Sequence, residues 1–405
     1  MRWSPDWIVA PSLSHDHALR LPDRGETQRY QMKITSVETI LLEHKLARPT
    51  GPASVLNEWR RTLLARITTD DGLVGWGETA PLAGTRETID KAMAPLLLGR
   101  DPRAIGNSWR TRWLAPFENR LAIGAIDIAL HDIVGQALGV PVHQLYGGAR
   151  RARVPVYASG GGYFEGVHPA EIWPKETRDL VARGFRAIKL KIGRYDPRSE
   201  LDALAAVKAA LPADVKLMVD AWGSYPLSTA LMVGRELERL GVTFYEEPLP
   251  QFGYRGYEQL AAQLDIAVAG GEMLLNRQAF KDLLDRRAVD IVQPDASLCG
   301  GIREVLFVAE LAELYGVQCV PHSWSGAILN AASIHIASLL QEPTLMPGVA
   351  TPMVEFDVTE NPFASGLLRA PLPILDGCFE VPDAPGLGLD VNLDAIRAME
   401  APRPH

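Results

Sequence analysis

Three carboxylates at equal spacing constrain the fold of this sequence more than any other feature. Asp220, Glu246 and Glu272 each follow a short apolar run of the kind that forms a buried strand, and each acid lies 26 residues from the next. A strand, a loop, a helix and a return loop need about that length in a parallel βαβ unit. The three acids are therefore expected at the same ends of three successive parallel strands.

The region from residue 151 to residue 355 alternates between apolar runs and helical segments rich in alanine and leucine. Such alternation is typical of a (β/α) barrel, whose chemistry lies at the C-terminal ends of its strands. The sequence therefore predicts an α/β catalytic domain over 151–355. The eight predicted strands are 154–159, 186–192, 215–220, 243–246, 266–271, 289–294, 317–321 and 352–355.

The chain before the barrel has a different pattern. A strand over 33–43, a hairpin turn at Asp70-Asp-Gly72 and helical segments that follow it predict an α+β capping domain over 32–150. The polar, glycine-containing link 47–60 is interpreted either as a mobile lid or as an ordinary surface loop.

Two terminal segments complete the predicted organisation. Residues 1–31 are polar and interrupted by prolines, which indicates either a poorly ordered N-terminal extension or a start codon assigned too early, with Met32 as the true start. Residues 356–405 are rich in proline and glycine and are expected to pack back on the capping domain.

Composition excludes several kinds of partner. A net charge of −8 without a long basic run argues against nucleic acid. The three cysteines are odd in number and form no CxxC pair, so we expect free thiols and a cytoplasmic protein. No stretch approaches the roughly 18 apolar residues of a membrane span. We therefore expect a small molecule as the partner.

Three carboxylates that converge on one site repel one another unless a cation neutralises them. Ligands that are all oxygen favour a hard divalent ion, Mg²⁺ before Mn²⁺, whereas zinc prefers some histidine or cysteine. Asp220, Glu246 and Glu272 are therefore the predicted metal ligands.

Further candidate residues lie where other predicted strands end. The period of two in a strand places Lys189 and Lys191 on one face, the inside of the barrel, where a lysine must meet anions or act as a base. Asp295 and His322 end two neighbouring strands. Asp295 can hold one ring nitrogen of His322 and leave the other facing the site as an acid or a base.

This set of groups suits the removal of a proton next to a carboxylate. The cation and Lys189 would neutralise the enediolate that forms, while Lys191 or His322 takes the proton. A lysine base must be neutral near pH 7. We expect positive charge from the cation and from Lys189 to lower the pKa of Lys191.

The combined pattern resembles the enolase superfamily, specifically its mandelate racemase-like subgroup, over almost everything from Met32 to the C-terminus. The resemblance rests on Lys189-Leu-Lys191, on the three acids in strand register and on the Asp295–His322 dyad. It implies a (β/α)7β TIM-like barrel with an α+β capping domain, and a homo-oligomer.

The subgroup also carries a glutamate at the end of the eighth strand that hydrogen-bonds the substrate carboxylate. Glu342 follows a helical run and is expected on the far face of the barrel, whereas Glu355 ends the eighth predicted strand. We therefore assign Glu355. Trp222 stands where the subgroup often has a polar residue, and it is interpreted either as favouring a ring-shaped substrate or as packing at the barrel mouth.

The leading hypothesis for function is a Mg²⁺-dependent lyase or isomerase of a sugar acid. Abstraction of the α-proton and loss of a β-oxygen, as hydroxide in a dehydratase or as the ring oxygen in a cycloisomerase, would give a 2-keto-3-deoxy acid. The C-terminal run 353–363, together with 385–390, resembles the galactarolactone and 3,6-anhydrogalactonate cycloisomerase branch. The alternatives are a racemase or epimerase of a 2-hydroxy acid, with the same lysine and histidine on opposite faces, and a non-catalytic metal-binding protein.

Overall fold

The computed structural model describes residues 32–82, 84–104, 119–342 and 351–402. The predicted N-terminal extension, 1–31, lies outside these ranges. The described residues form a small antiparallel sheet with helices, followed by a parallel barrel.

The capping sheet is a meander of three antiparallel strands, β1 (Ile34–Thr50), β2 (Asn57–Thr69) and β3 (Val74–Thr79). The predicted hairpin turn is confirmed between β2 and β3. The prediction of a loop over 47–60 is wrong in extent, because β1 and β2 stay paired up to Thr50 and Asn57. Cross-strand pairing overrides the weak strand propensity of these polar residues, and only 51–56 connect the two strands.

The helical part of the capping domain begins with short segments and ends in one long helix. These elements are α1 (Thr85–Glu87), a π-helical stretch (Thr88–Met93), α2 (Ala94–Leu97), α3 (Arg120–Leu138) and a 3₁₀ turn (Val142–Tyr146). Asn119 caps α3 through its side chain, which accepts a hydrogen bond from the N–H of Ala122 at 3.1 Å. Gly139 ends α3 in the left-handed conformation that favours glycine.

Helix α3 corrects one prediction from the sequence. It is long and apolar enough to cross a membrane by length and composition alone, although no such stretch was expected. However, 83% of its apolar window is buried inside the protein. Strand β3 lies so close that an added Cβ at Gly77 would stand 1.8 Å from the carbonyl oxygen of Ala125. The helix thus has the burial of a core helix.

The barrel follows, and all eight predicted strands are confirmed. The first and last residues of each observed strand lie within two residues of the predicted bounds. The strands are β4 (Arg153–Gly160), β5 (Ala187–Lys191), β6 (Lys216–Asp220), β7 (Phe244–Glu246), β8 (Ala267–Gly270), β9 (Ile291–Val292), β10 (Gln318–Cys319) and β11 (Val354–Asp357). The helices between them are α4 (Pro169–Ala182), α5 (Pro197–Ala210), α6 (Leu227–Leu240), α7 (Tyr254–Gln263), α8 (Arg277–Asp285), α9 (Ala296–Cys299), α10 (Ile302–Leu314) and α11 (Ala327–Leu339).

Parallel pairing runs in sequence order from β4 to β10, and β11 pairs with the other side of β4. Side chains that alternate along these strands fill the interior as a buried apolar cluster. The cluster consists of Tyr157, Ala187, Met218, Phe244, Ala269, Ile291 and Val320. This architecture is the (β/α)7β barrel with an α+β capping domain that the sequence analysis predicted.

The C-terminal segment contacts both parts of the protein. Its elements are α12 (Pro362–Ser365), β12 (Ile374–Leu375), β13 (Cys378–Glu380) and α13 (Leu393–Met399). Strand β13 pairs antiparallel with β4 of the barrel, whereas the N–H of Ala401 donates to the carbonyl of Leu41 on β1 at 2.8 Å. The segment therefore extends the barrel sheet in addition to contacting the capping domain.

The tip of the β1–β2 hairpin is docked on the barrel. The N–H of Tyr163 donates to the carbonyl of Gly51 at 3.0 Å, and the Arg194 guanidinium donates to the carbonyl of Ala53 at 2.9 Å. Tyr163 and Arg194 lie in the loops that follow β4 and β5. The hairpin thus lies over the C-terminal ends of the first barrel strands.

Glu78 of β3 joins the capping domain to the barrel. Its buried carboxylate accepts hydrogen bonds from the N–H groups of Gly326 and Leu329, at 2.6 and 3.0 Å, and from the Thr62 hydroxyl at 2.8 Å. Gly326 has no side chain to cap α11, so a carboxylate from another domain takes that role at the N-terminus of the helix.

We expect Glu78→Ala to lower the free energy of unfolding by about 2 kcal/mol or more, because two buried peptide N–H groups lose their acceptor. Urea denaturation, followed by circular dichroism, measures the change. The matched control is Glu38→Ala on β1, whose carboxylate forms an exposed ion pair with Arg66, and we expect it to cost less than about 1 kcal/mol. Equal midpoints for the two variants would contradict this role of Glu78.

Candidate active site

The sheet register brings two of the three acids side by side. Asp220 and Glu246 are the last residues of β6 and β7 and are direct partners in the parallel ladder. Glu272 lies two residues beyond the end of β8. All three side chains are buried. The equal spacing in the sequence thus corresponds to three successive strand ends.

The two lysines of β5 point to these acids. Lys189 is fully buried, and its ammonium donates to both oxygens of Glu246 at 2.7 and 2.8 Å. The same ammonium lies 2.8 Å from Glu355 and 3.9 Å from Asp220. Lys191 is paired with Asp220 through a short hydrogen bond. Buried ammonium groups are stable only with such anionic partners.

His322 and Asp295 form a dyad just beyond β10 and β9, each three residues past the last residue of its strand. The Nδ1 atom of His322 lies 2.7 Å from Asp295 Oδ2. The opposite ring nitrogen, Nε2, lies 3.2 Å from Glu272 and 3.7 Å from Glu355. One nitrogen of the ring is therefore held by Asp295, while the other faces the carboxylate cluster.

The structure distinguishes between the two glutamates that were candidates for the end of the eighth barrel strand. Glu355 lies on β11, is fully buried and accepts a hydrogen bond from the N–H of Ser323 at 3.2 Å. Glu342 follows the end of α11, and its carboxylate accepts a hydrogen bond from the Thr351 hydroxyl at 2.9 Å. Of the two, Glu355 is the one that lies against Lys189 and His322.

The protein's own charges keep both candidate proton carriers protonated. Burial lowers the pKa of Lys191, and Lys189 lowers it further, but Asp220 and other carboxylates leave it above the ordinary lysine value. Lys189 thus lowers the pKa of Lys191, as expected, but the carboxylates raise that pKa by more. Burial also lowers the pKa of His322, whereas Glu272, Glu355 and Asp295 raise it to about 10.

The donor set fits a hard divalent cation in its chemistry. Asp220, Glu246 and Glu272 offer only oxygen atoms, and burial together with neighbouring carboxylates raises the pKa of Glu246 to about 8 against the opposing effect of Lys189. Among the described residues, no three acidic, histidine or cysteine side chains are already grouped as a cation site. Each of the three acids instead faces Lys191, Lys189 or His322, so a cation would have to replace these contacts.

Two contributors to the site were missed by the sequence analysis. The amide of Gln293, which is fully buried, donates to Glu246 at 2.8 Å. Its position two residues before Asp295, on the same face of a strand, was the available signal. Glu247 is also buried, with a φ of 39° and one carboxylate oxygen without a partner. Strand alternation would have placed its side chain outside.

Trp222 follows Asp220 in an unusual backbone conformation. Its φ is 45°, in the left-handed region that costs a bulky residue energy. The conformation lets the Trp222 N–H donate to Asp220 Oδ1 at 2.8 Å and the Gly223 N–H donate to the carbonyl of Glu247 at 2.7 Å. The indole is half-buried. The strained turn thus fixes the orientation of the first predicted metal ligand.

Comparison with known proteins agrees with this geometry. The model of the mandelate racemase / muconate lactonizing enzyme N-terminal domain matches residues 36–147, and that of the enolase C-terminal domain-like family matches residues 174–395. D-galactarolactone cycloisomerase of Agrobacterium fabrum is 36% identical over 379 residues, which span 92% of this chain and 100% of the relative.

Solved structures give the same result. The 3,6-anhydro-D-galactonate cycloisomerase from Zobellia galactanivorans superposes with a TM-score of 0.82 at 32% identity, covering 91% of this chain and 100% of that one. A variant of L-talarate/galactarate dehydratase, liganded with Mg and L-glucarate, has a TM-score of 0.82 at 28% identity and covers 97% of both chains. The chain therefore belongs to the enolase superfamily, in its mandelate racemase and muconate lactonizing enzyme branch, and is an enzyme of the lyase or isomerase type.

Proposed function

We propose that this enzyme, with Mg²⁺, removes the proton α to the carboxylate of a sugar acid and then expels a β-oxygen, which yields a 2-keto-3-deoxy acid. One observation carries the proposal. Lys191 ends β5 and His322 follows β10, which is not a neighbour of β5, and both side chains face one buried carboxylate cluster. Two proton carriers on separate sides can serve the two atoms of an elimination.

In this proposal Asp220, Glu246 and Glu272 would hold the cation. Bound Mg²⁺ supplies positive charge to the substrate carboxylate and to the enediolate that develops from it. Lys189 adds a second fixed positive charge, and its two carboxylate partners keep its ammonium in place. Glu355, beside Lys189 and His322, is the group that would contact the substrate carboxylate.

Proton transfer is divided between Lys191 and His322. One of them takes the proton from C2, and the other donates a proton to the oxygen that leaves from C3. Neutralisation of Asp220 by the cation would remove the main group that raises the pKa of Lys191, as a lysine base requires. The enol that forms then becomes a 2-keto acid by tautomerisation.

The named relatives support a sugar acid as substrate, because they comprise cycloisomerases of a galactarolactone and an anhydrogalactonate and a dehydratase of talarate and galactarate. In a dehydratase the leaving oxygen departs as water, whereas in a cycloisomerase it is the ring oxygen of the substrate. Both reactions use the same groups.

A substrate screen tests the proposed reaction. Aldonic and aldaric acids, their lactones and their anhydro forms are incubated with the enzyme and Mg²⁺, and 2-keto acids are detected with semicarbazide. We expect a keto acid from at least one of these compounds. If none forms, but recovered substrate carries deuterium at C2 after incubation in heavy water, the reaction is a racemisation or epimerisation.

Removal of either proton carrier should stop turnover without loss of the metal. We expect Lys191→Ala and His322→Asn each to lower kcat by about 10³-fold or more, with Mg²⁺ binding retained, because neither side chain is a predicted ligand. The matched control is Lys216→Ala, at the opposite end of the neighbouring strand β6. Turnover that persists in Lys191→Ala would contradict the proposed mechanism.

Glu246→Gln should weaken the binding of the metal. The amide removes one of the three anionic donors, so we expect the Kd for Mg²⁺, measured by isothermal titration calorimetry, to rise roughly tenfold or more. Glu310→Gln, an exposed site on α10, provides the control for a general loss of negative charge. An unchanged Kd in Glu246→Gln would exclude Glu246 as a ligand.

A further inference from the structure

The loop that carries Asp295 is held by a serine two residues further on. The Ser297 hydroxyl and the Ser297 N–H both donate to Asp295 Oδ1, at 2.6 and 2.7 Å. The other carboxylate oxygen, Oδ2, lies against His322 Nδ1 at 2.7 Å. Both oxygens of Asp295 are thus engaged, and the Ser297 hydroxyl determines how the carboxylate plane is turned toward the histidine.

Ser297 is itself attached to the capping domain. The Thr79 hydroxyl, at the end of β3, donates to the Ser297 carbonyl at 2.7 Å. Helix α3 approaches the same backbone, since a Cβ added at Gly124 would stand 2.6 Å from the carbonyl oxygen of Ala296 and 2.7 Å from that of Ser297. Thr79 and Ser297 are both buried. The capping domain therefore contacts the backbone of Ala296 and Ser297 through one hydrogen bond and one close approach, and Ser297 in turn binds Asp295 of the dyad.

We propose that Ser297 and Thr79 are positioning residues, which orient the Asp295–His322 dyad from the capping domain. Neither residue reaches the reacting atoms; each acts through Asp295. The inference rests on the proposed function, in which His322 carries a proton. It implies that the capping domain takes part in catalysis through the dyad, in addition to covering the barrel mouth.

The physical argument concerns the direction in which His322 Nε2 points. Asp295 holds the ring at Nδ1, so a rotation of its carboxylate turns the ring and moves Nε2, which faces Glu272 and Glu355, relative to the substrate. Proton transfer is sensitive to such misplacement. A hydrogen bond to a charged carboxylate is also stronger than one between neutral groups. Loss of the Ser297 hydroxyl should therefore disturb the dyad more than loss of the Thr79 hydroxyl.

A spectroscopic test is independent of the substrate. In Mg²⁺-loaded protein labelled with ¹⁵N-histidine, the Nδ1 resonance of His322 is assigned by its loss in His322→Asn. We expect Ser297→Ala to move this resonance. The matched control is Ser338→Ala, because Ser338 is equally buried and its hydroxyl donates to the carbonyl of His335 at 2.7 Å, on α11. An unmoved resonance in Ser297→Ala, or an equal shift in Ser338→Ala, would overturn the proposal.

Kinetics provide the second readout. We expect Ser297→Ala to lower kcat about tenfold or more and Thr79→Val, which keeps the shape of the side chain, to lower it about threefold, both with KM unchanged. Thr79→Ser, which restores the hydroxyl, should recover the rate. Parallel changes in kcat, KM and melting temperature would assign these residues to folding alone. Absence of turnover in the unmodified enzyme would disprove the proposed function and leave the spectroscopic result standing.

Discussion

The rest of the site depends on the ion pairs that the buried ammonium of Lys189 forms with Glu246 and Glu355. The ammonium contacts Glu246 on β7 and Glu355 on β11, so one charge from β5 links three strands of the barrel. An ion in this environment is stable only if its partners stay close, because its desolvation costs several kcal/mol. The strand ends are therefore held at fixed distances by charge, above an interior that is filled by apolar side chains.

This constraint explains why such short strands can hold the side chains of the site in position. Strand β7 has only three residues, yet the ladder continues beyond the ends of β6 and β7, from the Ala221 N–H to the Glu246 carbonyl and from the Glu247 N–H to the Ala269 carbonyl. Asp220 and Glu246 thus stand on backbone that is hydrogen-bonded on both sides. Groups on such supports keep their geometry better than groups on free loops.

The sequence predicted the barrel and its strand ends well because both are local properties. A period of two, a repeat of strand and helix, and an acid at the end of an apolar run are all visible within about 30 residues. The pairing of Lys191 with Asp220 rather than with another acid was not visible, nor was the extent of the β1–β2 hairpin, because both depend on contacts between distant segments. The positive φ of Trp222 likewise results from bonds to Asp220 and Glu247 that no local pattern reveals.

The same division between local and distant contacts applies to the site. The candidate reacting groups follow from local patterns, whereas the choice of substrate depends on contacts between distant segments. The proposed proton carriers, Lys191 and His322, lie at or just beyond strand ends, where the hydrogen-bonded ladder holds the backbone. We expect the rest of a substrate to contact loops and the hairpin tip, whose backbone carbonyls at Gly51 and Ala53 accept hydrogen bonds from the loops after β4 and β5. Arg194, which binds Ala53, lies three residues beyond Lys191. A change in the tip can thus reach the strand that carries both lysines, and the capping domain contacts the barrel on this side as well as at the loop that carries Asp295.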